Sequence, residues 1–271
     1  MNLSTIKIVS LAPSVTETLC AIGFGHALVA RTDFCDWPVT VADIPSVGGF
    51  SNCCAEAILS FHPDLVIGTS LHKPLLQQIG LSGVRTACLK FHAVYEAPHA
   101  IRFIGELVNG SYNANLLASQ LEVQIHSIKE QAKTLGSRRV CYLCNIECPS
   151  WFSCPVAASV GFLGCTNAGR NKFLHAKNNN MISMITRDKP ELFLISKCKK
   201  CRSLCIDNLF ENVSEFKKYL DEYVPETIHF SSKLLGRAGP RAGFALNQLA
   251  HAIYGKDWDI GICQQERLIY S

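Results

Sequence analysis

Two groups of closely spaced thiols and two loops rich in aromatic rings are the parts of this sequence that can do chemistry. Cys141, Cys144 and Cys148 follow one another at short intervals, and Cys198, Cys201 and Cys205 repeat that spacing. Cysteines separated by two residues clamp zinc, or iron in iron–sulfur clusters, because two thiolates then reach one metal. Cys141 alternates with apolar neighbours in a strand-like run and reads as core. Cys144, Cys148, Cys198, Cys201 and Cys205 remain as candidate metal ligands. Lys197, Lys199, Lys200 and Arg202 surround the second trio and favour its thiolate form.

The second constellation is Phe34, Trp37, Phe50, Trp151 and Phe152. Burying an aromatic ring contributes about 1.5–3 kcal/mol, so rings placed in loops need a partner. They can form an apolar clamp for a flat macrocycle, or two or three of them can plug their own half of the molecule. No catalytic set accompanies them. There is no Gly-x-Ser-x-Gly, no P-loop, and no Gly-x-Gly-x-x-Gly after a strand. A non-enzymatic binder is therefore expected.

The elements that must position these residues come in two similar series. Lys7–Thr18 (KIVSLAPSVTET) is an apolar strand running into a helix, and Arg139–Asn145 (RVCYLCN) opens a second half. Each half continues with a Pro-acid-apolar strand: Pro63-Asp64-Leu65-Val66-Ile67, then Pro190-Glu191-Leu192-Phe193-Leu194. Further strands are expected at 28–31, 85–89 and 226–229, with helices at 16–23, 55–60, 96–108 and 241–254. Between the halves, Leu117, Leu121, Ile125, Ile128, Ala132 and Leu135 form one apolar stripe on a helix from about Tyr112 to Leu135. At 1.5 Å per residue that helix spans roughly 35 Å, long enough to run along both halves. Strands alternating with helices imply parallel sheets with crossover helices. The expected fold is α/β: two Rossmann-like lobes joined by a long backbone helix. Its divisions are 1–92, 93–136 and 137–271.

In such sheets ligands bind beyond the carboxyl ends of the strands. This places Ser14, the Asp33-Phe34-Cys35-Asp36-Trp37 loop, Phe50, Ser51, Thr69, Ser70 and His72 on one wall of a cleft between lobes. Asn145, Trp151, Phe152, Cys198 and Lys199 fall on the other. A stiff central helix would keep lobe movement small.

The chain has 271 residues, 48% hydrophobic and 18% charged, with a net charge of +4 and no block of like charge. A nucleic-acid partner is not expected from such a surface. No apolar run is long enough to insert in a membrane. The first strand begins close to Met1 with no signal-like segment before it, and the 14 cysteines suit a reducing compartment. A cytosolic monomer binding a small molecule is expected; a periplasmic one would require an export signal absent from the sequence.

The stretches KIVSLAPSVTETLCAIGFG, VGGFSNCCAEAILSFHPDLVIG and GRAGPRAGFALNQLAHAIYG, with the long helix, resemble the helical-backbone (class III) substrate-binding proteins for vitamin B12, haem and ferric siderophores. The chain is most similar to a signal-less cobalamin-binding subgroup with a His-Glu-Cys-Asp-Tyr-Pro loop. Cys35, Asp36 and Pro38 match that loop, Trp37 keeps an aromatic, and Asp33 and Phe34 depart from it. The resemblance implies a thiol at Cys198 and a permease-docking carboxylate at Glu56. The corresponding second-half stretch, Met181–Met184, offers no carboxylate. What the resemblance implies first is a non-catalytic cleft binder of a corrinoid, haem, or another metal-bearing macrocycle or chelate, with coordination by thiol or His72 optional. Two other readings stand beside it: a cytosolic zinc or iron–sulfur protein using the second-half cysteines, and a substrate-binding subunit of an ABC transporter.

Overall fold

The computed structural model describes residues 6–143, 155–167, 187–196, 226–231 and 233–260. The apolar runs pair in register as two parallel four-stranded sheets. The first contains β1 (Ile8–Ser10), β2 (Leu28–Arg31), β3 (Leu65–Thr69) and β4 (Arg85–Leu89), in the order β2-β1-β3-β4. The second contains β5 (Arg139–Leu143), β6 (Thr166–Asn167), β7 (Leu192–Ser196) and β8 (Glu226–Phe230), in the same order, β6-β5-β7-β8. The two-lobed α/β architecture expected from the sequence is the one observed.

The duplicated Pro-acid motif explains the shared order. Asp64 accepts the Lys7 backbone N–H at 2.8 Å, and Glu191 accepts that of Arg139 at 3.2 Å. Each carboxylate therefore pins the start of a strand to its neighbour. The residues before the two prolines, His62 (φ 48°) and Lys189 (φ 41°), both adopt the left-handed region. This is an unusual choice for a non-glycine residue and marks the same tight entry turn in both halves.

Helices cover the first sheet on both faces. Side chains alternate across a parallel strand, so Ile8, Leu65, Ile67 and Leu89 point one way and Val9, Ala30 and Val66 the other. On one side lie α1 (Pro13–Ala21) and α4 (Ala97–Leu107); on the other lie α2 (Ala55–Leu59) and α3 (Lys73–Leu81). The helix expected from Thr16 begins earlier, at Pro13, because a proline in the first turn loses no hydrogen bond. The sequence reading did not foresee α3, β6 or α6 (Pro155–Phe162). Pro74 and Gly80 obscure the first, and β6 has only two residues.

The backbone helix α5 runs from Ser111 to Leu135, 25 residues. Leu121, Ile125, Ile128 and Ala132 are buried as expected. Its first turns instead bury Ala114 and Ala118, because α4 approaches too closely for larger side chains: a Cβ on Gly105 would lie 2.3 Å from the Ala114 Cβ. Further along, α5 meets α7 (Ala242–Tyr254), where a Cβ on Gly243 would lie 3.2 Å from Leu121 Cδ1. One apolar core thus runs from the first sheet through α5 to the second. No helix among the described residues is long and apolar enough to cross a membrane.

Gly105→Val should force α4 and α5 apart. A destabilisation of about 1–3 kcal/mol is expected, read as a lower urea midpoint. An unchanged midpoint would mean that this helix contact does not limit stability.

Candidate functional site

The loops after β1, β2 and β3 gather at the carboxyl edge of the first sheet, and their side chains fall into two groups. The first group is aromatic. Phe34 is 51% exposed and sits edge-on to Phe50, with ring centroids 6.2 Å apart. Phe50 in turn meets the His72 ring edge-on at 4.6 Å. Leu71, on the same turn as His72, is 76% exposed. The sequence reading passed over Leu71, although an apolar residue between Ser70 and His72 at a strand end was a visible signal.

Backbone pairing holds these loops in place. Val47 donates its N–H to Arg31 at 2.8 Å, and Asp33 donates to Gly48 at 2.9 Å, so residues 46–48 lie alongside the end of β2. Ser46 Oγ donates to Asp33 Oδ1 at 2.5 Å. Arg31 reaches back to the carbonyls of Val41 and Ala42 at 2.6 and 3.0 Å and fixes the turn after Pro38. Ser51 and Ser70 are exposed, and Thr69 ends β3 almost fully buried.

His72 is buried and both its nitrogens are engaged. Nδ1 accepts the Thr69 backbone N–H at 3.0 Å, and Nε2 lies 2.8 Å from the Phe50 carbonyl. Burial pushes its proton affinity below the usual histidine range, against the opposing pull of the Phe50 carbonyl.

The second group is ionic and joins the halves. Glu17 of α1 is 1% exposed. Its Oε1 accepts from Arg237 at 2.8 Å and from Arg241 at 2.6 Å, and its Oε2 accepts from Arg241 Nε at 3.0 Å. Arg237 also donates to Asp36 at 2.7 Å and to the Phe34 carbonyl at 3.3 Å, while Lys233 binds the other Asp36 oxygen. The Arg241 guanidinium lies 5.0 Å from the centroid of the Trp37 ring. The turn after β8 therefore clasps α1 and the 33–38 loop. Burial works to raise the Asp36 carboxyl, but hydrogen bonds and charge from Lys233 and Arg237 outweigh it and hold it at about 2.

The clasp decides where other expected site residues lie. Ser14 is buried beneath the second half: a Cβ on Gly239 would come within 3.3 Å of its carbonyl oxygen. Cys35 is also buried, its sulfur 3.4 Å from Thr32 Oγ1. Asp36 and Trp37 face the clasp arginines. Phe34, Phe50 and His72 are brought together; Ser14 and Cys35 are packed away from them. Nothing in the sequence marked Glu17, Arg237 or Arg241 except their place in the matched stretches.

Trp151, Phe152, Cys144, Cys148, Cys198, Cys201, Cys205 and Met181–Met184 lie outside the described residues. Among the described residues, no group of three or more His, Cys, Asp or Glu side chains is placed to hold a metal. Cys141 is buried as core, and burial together with the charge of Asp188 pushes its thiol up to about 12. Glu56 is exposed in the first turn of α2.

Comparison with known proteins follows the same lines. The family described as periplasmic binding protein matches residues 8–153. The chain is 31% identical over 138 residues to an uncharacterized ABC transporter substrate-binding lipoprotein, YvrC, of Bacillus subtilis, covering 48% of this chain and 43% of that protein. It is 33% identical over 81 residues to the vitamin B12-binding protein of Vibrio cholerae, covering 28% of this chain and 29% of that one. The chain thus matches less than half the length of these curated relatives. Among solved structures it is similar to the periplasmic heme-binding protein RhuT of Roseiflexus sp. RS-1, at 22% identity, covering 93% of this chain and 98% of that one with a TM-score of 0.73. It is also similar to the vitamin B12-binding protein BtuF of Vibrio cholerae, at 18% identity, covering 91% and 96% with a TM-score of 0.69. At such identities the likeness is one of fold. RhuT is periplasmic and YvrC a lipoprotein by name, so the cytosolic location expected from the N-terminus and the thiol content finds no support in them.

Replacing Glu17 with Gln should remove the carboxylate that two largely buried guanidinium groups share, while Arg237 keeps its pair with Asp36. Breaking a buried pair in this way costs about 3–5 kcal/mol, measurable by urea unfolding; a loss under about 1 kcal/mol would mean that the clasp is worth no more than a surface pair. Asp36 gives a pH signature. Its carboxyl is held at about 2 against an ordinary 3.8, so its contribution is complete above 3.8 and fades as pH falls toward 2. Asp36→Asn should flatten the decline in stability across that window. A decline as steep as the parent's would assign the acid sensitivity to other carboxylates.

Proposed function

Since the chain belongs to the periplasmic binding protein family, we propose that it is a non-catalytic receptor for a flat, metal-bearing macrocycle, a corrinoid foremost, with haem and other metal chelates as alternatives. The observation that carries this reading is the aromatic step of Phe34, Phe50 and His72 at the carboxyl edge of the first sheet. A half-exposed phenylalanine stacked edge-on upon a second ring is a wall awaiting an apolar face. Vitamin B12-binding and heme-binding proteins among the relatives support the ligand class.

The same reading supplies a partner and a place. A receptor of this family hands its ligand to an ABC permease, and the substrate-binding lipoprotein among the relatives supports that role outside the cytoplasmic membrane. Glu56, exposed near the start of α2, is the first-half carboxylate suited to permease docking. The iron–sulfur or zinc reading rests on cysteines outside the described residues and gains no observation in its favour.

Titration with cyanocobalamin and with haemin, followed by tryptophan quenching and visible absorbance, tests the assignment. Trp37 shares the 33–38 loop with Phe34, so binding at the ring wall should quench its emission. Phe34→Ala should weaken binding about 10-fold or more, the loss expected for about 1.5–3 kcal/mol of ring burial. Absence of binding by both probes would reject the macrocycle reading.

A further inference from the structure

The two hydrogen bonds to His72 decide what that residue can do at the site. A backbone N–H can only donate. The Thr69 N–H at 3.0 Å therefore requires Nδ1 to be an acceptor, which places the imidazole proton on Nε2. The 2.8 Å approach of Nε2 to the Phe50 carbonyl then completes a donor–acceptor pair. Both lone-pair positions through which an imidazole binds a metal are used: Nδ1 by the Thr69 amide, Nε2 by its own proton. The ring also lies close on β3. A Cβ on Gly68 would come within 3.0 Å of the His72 Cβ and 3.2 Å of its Cγ, so glycine at that position lets the ring sit against the strand.

From this geometry we propose that His72 is a positioning residue, not a metal ligand. Its neutral Nε2–H tautomer ties the loop carrying Phe50 to the end of β3 and so sets the ring wall against which a ligand packs. The inference rests on the receptor reading above and deepens it. It assigns recognition at this wall to ring packing on the ligand's face, with the metal of a chelate left to other groups or to none.

The bond from the Thr69 amide holds only while the ring is neutral. A proton on Nδ1 would face the Thr69 N–H, donor against donor, and would turn to the Thr69 hydroxyl, whose Oγ1 lies 3.1 Å away. The elements around the ring carry Lys73 on its own turn and α3, Cys88 on β4, Cys53 and Cys54 beyond Phe50, and Asp33 on the neighbouring loop. Burial disfavours protonation of the ring and the Phe50 carbonyl favours it. Acid therefore takes away the acceptor of the Thr69 amide, at a pH below the ordinary histidine range, while the Nε2–H bond to the Phe50 carbonyl persists.

The test uses the full chain labelled with ¹⁵N. Long-range ¹H–¹⁵N spectra should show His72 as the Nε2-protonated tautomer at neutral pH, and the Thr69 amide signal should shift with its protonation as the pH is lowered. His72→Gln, whose amide can accept from Thr69 and donate to Phe50 but does not titrate, should keep cyanocobalamin affinity within about 3-fold and abolish that shift. His72→Phe keeps a ring edge but neither hydrogen bond, and should lose about 10-fold or more. An Nδ1-protonated ring, or amide signals of residues 48–52 unmoved by His72→Phe, overturns the positioning role whether or not cyanocobalamin binds. A parent protein that ignores both cyanocobalamin and haemin while showing the expected tautomer, and whose loop signals move in His72→Phe, overturns the receptor reading alone. A haemin complex whose visible spectrum changes on His72→Gln identifies His72 as an iron ligand and refutes the proposal.

Discussion

A carboxylate with 1% of its surface in contact with solvent is tolerable only if its charge is answered, and Glu17 is answered twice. Removing a carboxylate from water costs several kcal/mol, which attraction in a poorly polarisable interior offsets only when geometry is good and the remaining lone pairs are satisfied. Arg237 and Arg241 come from the turn after β8, while Glu17 lies in α1. The carboxylate can therefore be buried only when the two halves are together. This makes the contact a condition of assembly more than a source of surplus stability. It also orders the neighbourhood, because Arg237 continues to Asp36 and the Phe34 carbonyl and so sets the loop that bears the exposed ring.

The apolar counterpart of the clasp is α5. It packs its small residues against α4 and its larger ones toward α7 and the second sheet, so the halves share one core along its length. Relative motion of the halves must then shear side chains packed at interior density, which is costly. Ionic clasp on one flank and helical spine along the core hold the ring-bearing face in one arrangement. Under the proposed receptor role, affinity would come from a preformed surface and not from hinge closure.

What the sequence disclosed, and what it withheld, divides by range. The Pro-acid motifs, the strands at 28–31, 85–89 and 192–196, and the stripe on α5 are local patterns, and each was legible because neighbouring residues dictate it. The aromatic step was half legible. Loops after parallel strands pointed to Phe34, Phe50 and His72, but the bond that ties His72 to the Phe50 loop reaches a carbonyl 22 residues away. The clasp was illegible, since Glu17 and Arg237 are 220 positions apart and nothing beside either announces the other. That same distant contact buries Ser14, which a strand-end rule alone would leave in the open. Cys35 turned inward for a nearer reason, its approach to Thr32.

The described cysteines bear on how long such a protein lasts where oxidants are present. Every one of them is free. Burial, with the charge of Glu17 and the neighbouring Cys35, holds Cys20 at about 11, and Cys141 stands at about 12. At neutral pH a thiol at about 11 is ionised in only about one molecule in ten thousand, and the thiolate is the species that peroxides and disulfides attack. Cys20 and Cys141 are consequently slow to sulfenylate or to enter mixed disulfides. These two sulfurs can persist in an oxidising compartment on kinetic grounds, with no cross-link required to protect them.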